Sequence, residues 1–66
     1  MTLTVNGSTR PLPRPANVAA LLRDCGLDPA VVVVERNGTI VPGADYAATP
    51  LEPGDTLEIL SFVGGG

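Results

Sequence analysis

A chain of 66 residues has room for one domain, and at 44% hydrophobic it can bury one compact core, although a chain this short buries a smaller share of its surface than a larger one. Acidic residues outnumber basic ones seven to four, and the four cations, Arg10, Arg14, Arg23 and Arg36, are spread singly. With only Tyr46 and Phe62 to stack on bases, this argues against nucleic-acid binding. One thiol, Cys25, and no histidine leave no intramolecular disulfide and no cysteine-built zinc site.

The net charge of -3 suits a partner with a positive docking face, and equally keeps a small domain soluble. The scarcity of aromatics predicts an aliphatic core. No apolar run, Ala30 to Val34 included, is nearly long enough to span a membrane. Met1 leads straight into a strand pattern rather than a signal peptide, so the expected location is the cytoplasm.

Met1 to Val5 alternates apolar and polar residues, the pattern of a half-buried strand. Asn6-Gly7 is the preferred pair for a tight hairpin turn, in which both central residues need positive φ. A two-residue turn pairs Val5 with Ser8, Leu3 with Arg10 and Met1 with Leu12. Arg10 then lies on the core side and must pack its stem while its head reaches an edge. Pro11 lacks a donor, which places the return strand, Ser8 to Leu12, at the edge of a sheet.

Asn17 is a good helix N-cap. Val18, Leu21, Leu22 and Cys25 follow at helical spacing and form one apolar stripe. Gly26 suits the left-handed position after the helix, Leu27 would meet Leu22, and Pro29 prevents a restart. So short a helix is marginal alone and must dock on a sheet. Cys25 belongs to the stripe and reads as a packing residue.

Val31 to Val34 reads as a strand, with Val32 and Val34 facing the helix and Val31, Val33 and Glu35 facing outward. Asn37-Gly38 is a second hairpin turn into a brief strand at Thr39 to Val41. Pro42 to Pro53 reads as a surface crossover with Tyr46 as a lid. Thr56 to Phe62 is the last strand. Leu57 and Ile59 face the core, and Leu60 and Phe62 fall together on the opposite, uncovered face, where an apolar patch marks a partner site.

The order is hairpin, helix, strand, short strand, final strand. It closes most simply with the first and last strands side by side and parallel and the helix across one face. The expected class is α+β, a ubiquitin-like β-grasp domain over residues 1–63, with a mixed sheet of four to five strands and a flexible glycine tail at 64–66. Fold alone does not settle function.

The residues offer little to an enzyme. There is no histidine or lysine, no nucleophile with a base beside it, and no helix after the glycines to hold a phosphate. What remains is Phe62-Val63-Gly64-Gly65-Gly66. Glycines with a free carboxylate make a thin arm that can enter a narrow channel. A carboxylate becomes a reactive acyl group once joined to AMP, and a partner's persulfide can then convert it to a thiocarboxylate. Such a protein carries a group and supplies recognition.

The chain resembles the ThiS family of thiamine-biosynthetic sulfur carriers across nearly its whole length. The resemblance rests on Asn6-Gly7, Leu21-Leu22, Val34-Glu35-Arg36-Asn37-Gly38 with Ile40-Val41-Pro42, then Leu51, Gly54-Asp55, Leu57-Glu58-Ile59 and the ending Phe62 to Gly66. It implies that Gly66 is adenylated by an E1-like adenylyltransferase that uses ATP, and is converted to a thiocarboxylate. The sulfur would come by a cysteine-desulfurase route and pass to thiazole synthase. Gly64 and Gly65 would complete the tail, and Leu60, Phe62 and Val63 would form the partner interface. The chain itself would be a monomeric carrier rather than an enzyme, binding no metal, cofactor, nucleic acid or membrane. A molybdopterin-type sulfur carrier, a ubiquitin-like protein modifier and a plain β-grasp binding module are the other readings open at this point.

Overall fold

Strands β1 (Thr2–Val5), β2 (Ser8–Pro11), β3 (Val32–Arg36), β4 (Thr39–Val41) and β5 (Thr56–Ser61) form one mixed sheet in the order β2-β1-β5-β3-β4. Helix α1 (Val18–Asp24) packs its apolar stripe against one face. The computed structural model describes residues 1–62 of the chain.

Both Asn-Gly pairs make the turns that their sequence favours. Asn6 and Gly7 have φ of 50° and 84°, and Asn37 and Gly38 have 50° and 85°, the left-handed pairs of a turn that matches strand twist. The first hairpin has the expected register, with Val5 opposite Ser8 and Leu3 opposite Arg10. β2 stops at Pro11, one residue short of expectation, because its partner β1 begins at Thr2, directly opposite Pro11. The Leu12 N–H still donates to the Met1 carbonyl at 3.1 Å. β1 and β5 run parallel, with Thr4 opposite Thr56 and Val5 opposite Leu57.

The helix begins and ends on its predicted residues. Asn17 is extended, at φ -144°, and its Oδ1 accepts from the Ala20 N–H at 2.8 Å. At the other end Gly26 turns left-handed at φ 71°. The Leu27 N–H then reaches the Leu22 carbonyl at 2.9 Å and the Gly26 N–H reaches that of Arg23 at 3.1 Å. This is the Schellman pattern, which satisfies carbonyls that the helix leaves open. Val18, Leu21 and Leu22 are buried, and Cys25 is half-buried against the core.

Three further sequence expectations need correction. Val31 does not start a strand. It closes a 3-10 turn, Pro29–Val31, in which the Asp28 carboxylate accepts from the Ala30 N–H at 2.9 Å. β5 ends at Ser61 rather than Phe62, although the Phe62 N–H still donates to the Val31 carbonyl at 2.6 Å. The third correction concerns the crossover. Tyr46 is only 6% exposed and its hydroxyl donates to the Val32 carbonyl at 3.2 Å, so the core is not purely aliphatic. A two-turn helix covers only part of a five-stranded face. Tyr46 and Leu51 close the rest, and the crossover is tied to the helix start where the Leu51 N–H donates to the Ala16 carbonyl at 2.8 Å.

Candidate functional site

β5 is the central strand, and its inner and outer residues divide cleanly. Leu57 and Ile59 are buried beneath the helix, with Val34 opposite Ile59. Thr56, Glu58, Leu60 and Phe62 face outward, and Leu60 and Phe62 are 64% and 62% exposed. A strand's side chains alternate, so burying one set commits the other to the outer face. Two of the three residues expected at a partner interface, Leu60 and Phe62, therefore sit where parity put them. Val63, Gly64, Gly65 and Gly66 lie outside the described residues.

Neighbouring strands extend the patch. Val33 lies directly opposite Leu60, and Ile40, 61% exposed, lies opposite Glu35 on the same face. Alternation along β3 alone turns Val33 outward but gives Ile40 no face. The signal was present, because the two-residue turn at Asn37-Gly38 forces Ile40 opposite Glu35. Beside this patch, Pro29, Val33, Ile40, Pro42 and Tyr46 help line a shallow open depression of about 580 Å³.

Two polar residues hold β5 in place, and sequence reading missed the role of each. The side chain of Asn6 continues the β1–β5 ladder beyond the turn. Its Oδ1 accepts from the Ile59 N–H at 2.8 Å and its Nδ2 donates to the Ile59 carbonyl at 3.0 Å. At the start of β5, the buried Asp55 accepts from Arg36 Nε at 2.8 Å, Asn37 Nδ2 at 3.1 Å and the Glu52 N–H at 2.9 Å. Burial pushes this carboxyl up. The Glu52 N–H, the Arg36 and Asn37 hydrogen bonds and the Arg36 charge outweigh it and hold the group below the usual carboxylate value. Asn37 closes the link, since its Oδ1 accepts from the Thr56 N–H at 2.9 Å. Leu60 is thus presented from a strand pinned at its start and at Ile59, and Phe62 directly follows that strand.

Among the described residues no three of the metal-binding type come together as a ligand set. No described helix is long and apolar enough to cross a membrane. The geometry offers a surface, not a described catalytic pocket.

A mixed five-stranded sheet with adjacent parallel first and last strands and one helix on its inner face is a ubiquitin-like β-grasp domain. Within that class the chain belongs to the ThiS family, whose model matches residues 3–66. It is 37% identical to the thiamine biosynthesis protein ThiS of Geobacter metallireducens in a crystal structure that it matches over all of both chains, with a TM-score of 0.79. A solution structure of a thiamine biosynthesis protein from the same organism gives 36% identity, all of this chain, 88% of the other and a TM-score of 0.80. Two longer proteins also match the whole chain. The thiazole synthase of Paramagnetospirillum magneticum is 46% identical over 66 residues, and that of Magnetococcus marinus is 33% identical over 66. The chain spans 20% of the length of each.

Proposed function

We propose that this chain is a sulfur carrier for thiamine biosynthesis and that its working group is the carboxylate of Gly66. The observation that carries this reading is a family match that runs through Gly66 itself. A carboxylate carbon is electron-rich and resists nucleophiles. An E1-like enzyme with ATP would join it to AMP and release pyrophosphate. A persulfide supplied by a cysteine-desulfurase route would attack the acyl carbon and expel AMP. A thiol would then cleave the sulfur–sulfur bond, leaving the thiocarboxylate on Gly66 and a disulfide on the partner. Gly64 and Gly65 would let the end enter the partner's active site, with Leu60, Phe62 and Val63 at the docking surface. The chain is then a co-substrate, and ATP is bound by the activating enzyme. Thiazole synthase is the acceptor this reading favours, because two proteins of that name contain a segment similar to the whole chain.

The test is the intact mass of the chain after incubation with its host's activating enzyme, ATP and a sulfur source. A species heavier by the difference between sulfur and oxygen, mapped by fragmentation to Gly66, is the expected result. Mapping separates it from oxidation of Met1. Attachment of Gly66 to a protein amine would establish a modifier instead, and an unchanged Gly66 beside an enzyme active on a known carrier would overturn the reading.

A further inference from the structure

The outer face of the sheet carries an electrostatic conflict that the fold does not resolve. Glu35 on β3 lies directly opposite Glu58 on β5. Like charges at directly opposed positions of a sheet repel and oppose folding. The ion pairs among the described residues are Arg23 with Asp24 and Arg36 with Asp55, and neither involves these two glutamates. Strand parity also keeps the arginines away. Arg36 is opposite Leu57 and Arg10 is opposite Leu3, both on the inner face. The pair sits in the row Ile40–Glu35–Glu58, next to the row Val33–Leu60. Two carboxylates therefore stand beside an exposed apolar patch with no cation of this chain to neutralise them among the described residues.

We propose that this face docks a partner protein whose apolar surface carries an arginine or lysine that sits between Glu35 and Glu58. Apolar side chains of the partner would cover Leu60, Val33 and Ile40, removing water around the two carboxylates. A cation there turns the repulsion into two charge-assisted hydrogen bonds, most favourably with the planar guanidinium of arginine. The charge fixes the register of docking and speeds encounter, while the apolar patch supplies the area. A partner lacking the cation would bury two unpaired charges and be rejected. The proposal rests on the carrier reading for its choice of partner, which is the thiazole synthase.

The experiment titrates the full chain, the Glu35→Gln, Glu58→Gln double variant and Leu60→Ala against purified thiazole synthase from the same source. Salt is varied between about 0.05 and about 0.3 M, where screening changes strongly. The wild type should bind less tightly as salt rises. The double variant should bind about tenfold more weakly at low salt and lose most of that salt dependence. Its melting temperature should equal or exceed the parent's, which shows that folding is not the cause. Leu60→Ala should weaken binding and keep the salt slope. Equal affinity and slope for the double variant would overturn the proposal, as would a glutamate effect seen with the activating enzyme but not the synthase. If Gly66 acquires sulfur but the synthase does not bind, the docking proposal fails and the carrier reading stands. If the charge-dependent docking holds and Gly66 never changes, the reverse is true.

Discussion

The side chain of Asn6 lies where β1 would have continued along β5. A turn residue in this position needs positive φ, which glycine would also provide. Glycine could not replace the two hydrogen bonds to Ile59, at 2.8 and 3.0 Å. Asn6→Gly keeps the turn and leaves a part-buried N–H and carbonyl on the central strand unpaired. We expect a loss of about 1–3 kcal/mol, measured by denaturant unfolding, the usual cost of an unsatisfied buried group. A variant as stable as the parent would show that water replaces the amide there. Asp55 makes a different prediction. Its carboxyl is held below the ordinary value near 3.8, so it stays ionised to lower pH in the folded chain than in the unfolded one. The stability this contributes is full above the ordinary value and is lost as pH falls through the folded one. Below about pH 4 the parent should therefore lose stability more steeply than Asp55→Asn, which cannot titrate. Parallel acid limbs in melting curves of the two proteins would remove Asp55 as a source of that dependence.

Helix α1 shows how a short element depends on its neighbours. Its seven residues are too few to hold a helix in isolation, and both caps are needed to close its open backbone groups. Most of its stability comes from Val18, Leu21 and Leu22, all buried against the sheet. Leu21→Ala should cost about 2–5 kcal/mol in a chemical denaturation experiment, and an unchanged midpoint would mean that the site collapses around the smaller side chain. Elements of this kind were legible in the sequence because their signals are local. Asn17, Gly26 and the two Asn-Gly pairs each dictate a backbone conformation within a few residues, and strand parity fixed the faces of β3 and β5. The crossover was not legible in the same way. Tyr46 is buried by a helix and a strand far from it in sequence, and nothing in Pro42 to Pro53 has a period that marks a face. Asp55 was hidden for a related reason. In a Pro-Gly-Asp stretch it reads as an ordinary turn residue, and only the sheet brings Arg36 and Asn37 to it. Of the site, Leu60 and Phe62 followed from parity alone, whereas the facing Glu35 and Glu58 required the pairing of β3 with β5.

In the molecule as a whole, one face of the sheet holds the fold together and the other is left open. The helix, Tyr46 and Leu51 close the inner face, and the described part of the chain places no helix across the outer one. Under the docking proposal, stability and recognition fall on opposite sides of the same strands, so changes on one side need not disturb the other. Phe62 is the clearest place to test that separation. Its ring is largely exposed, and the strand it follows is pinned by Asn6, Asp55 and the Phe62 backbone rather than by the ring. Phe62→Ala should therefore leave the unfolding free energy within about 0.5 kcal/mol of the parent's, as expected of a surface substitution. An aromatic anchor buried at an interface contributes far more, so the same variant should bind the activating enzyme or the synthase at least about tenfold more weakly. Calorimetric titration beside a denaturation curve reads both quantities on one preparation. A large fall in stability would place the ring inside the fold. Undiminished affinity would remove Phe62 from the docking surface and leave Leu60, Val33 and Ile40 as the patch a partner covers.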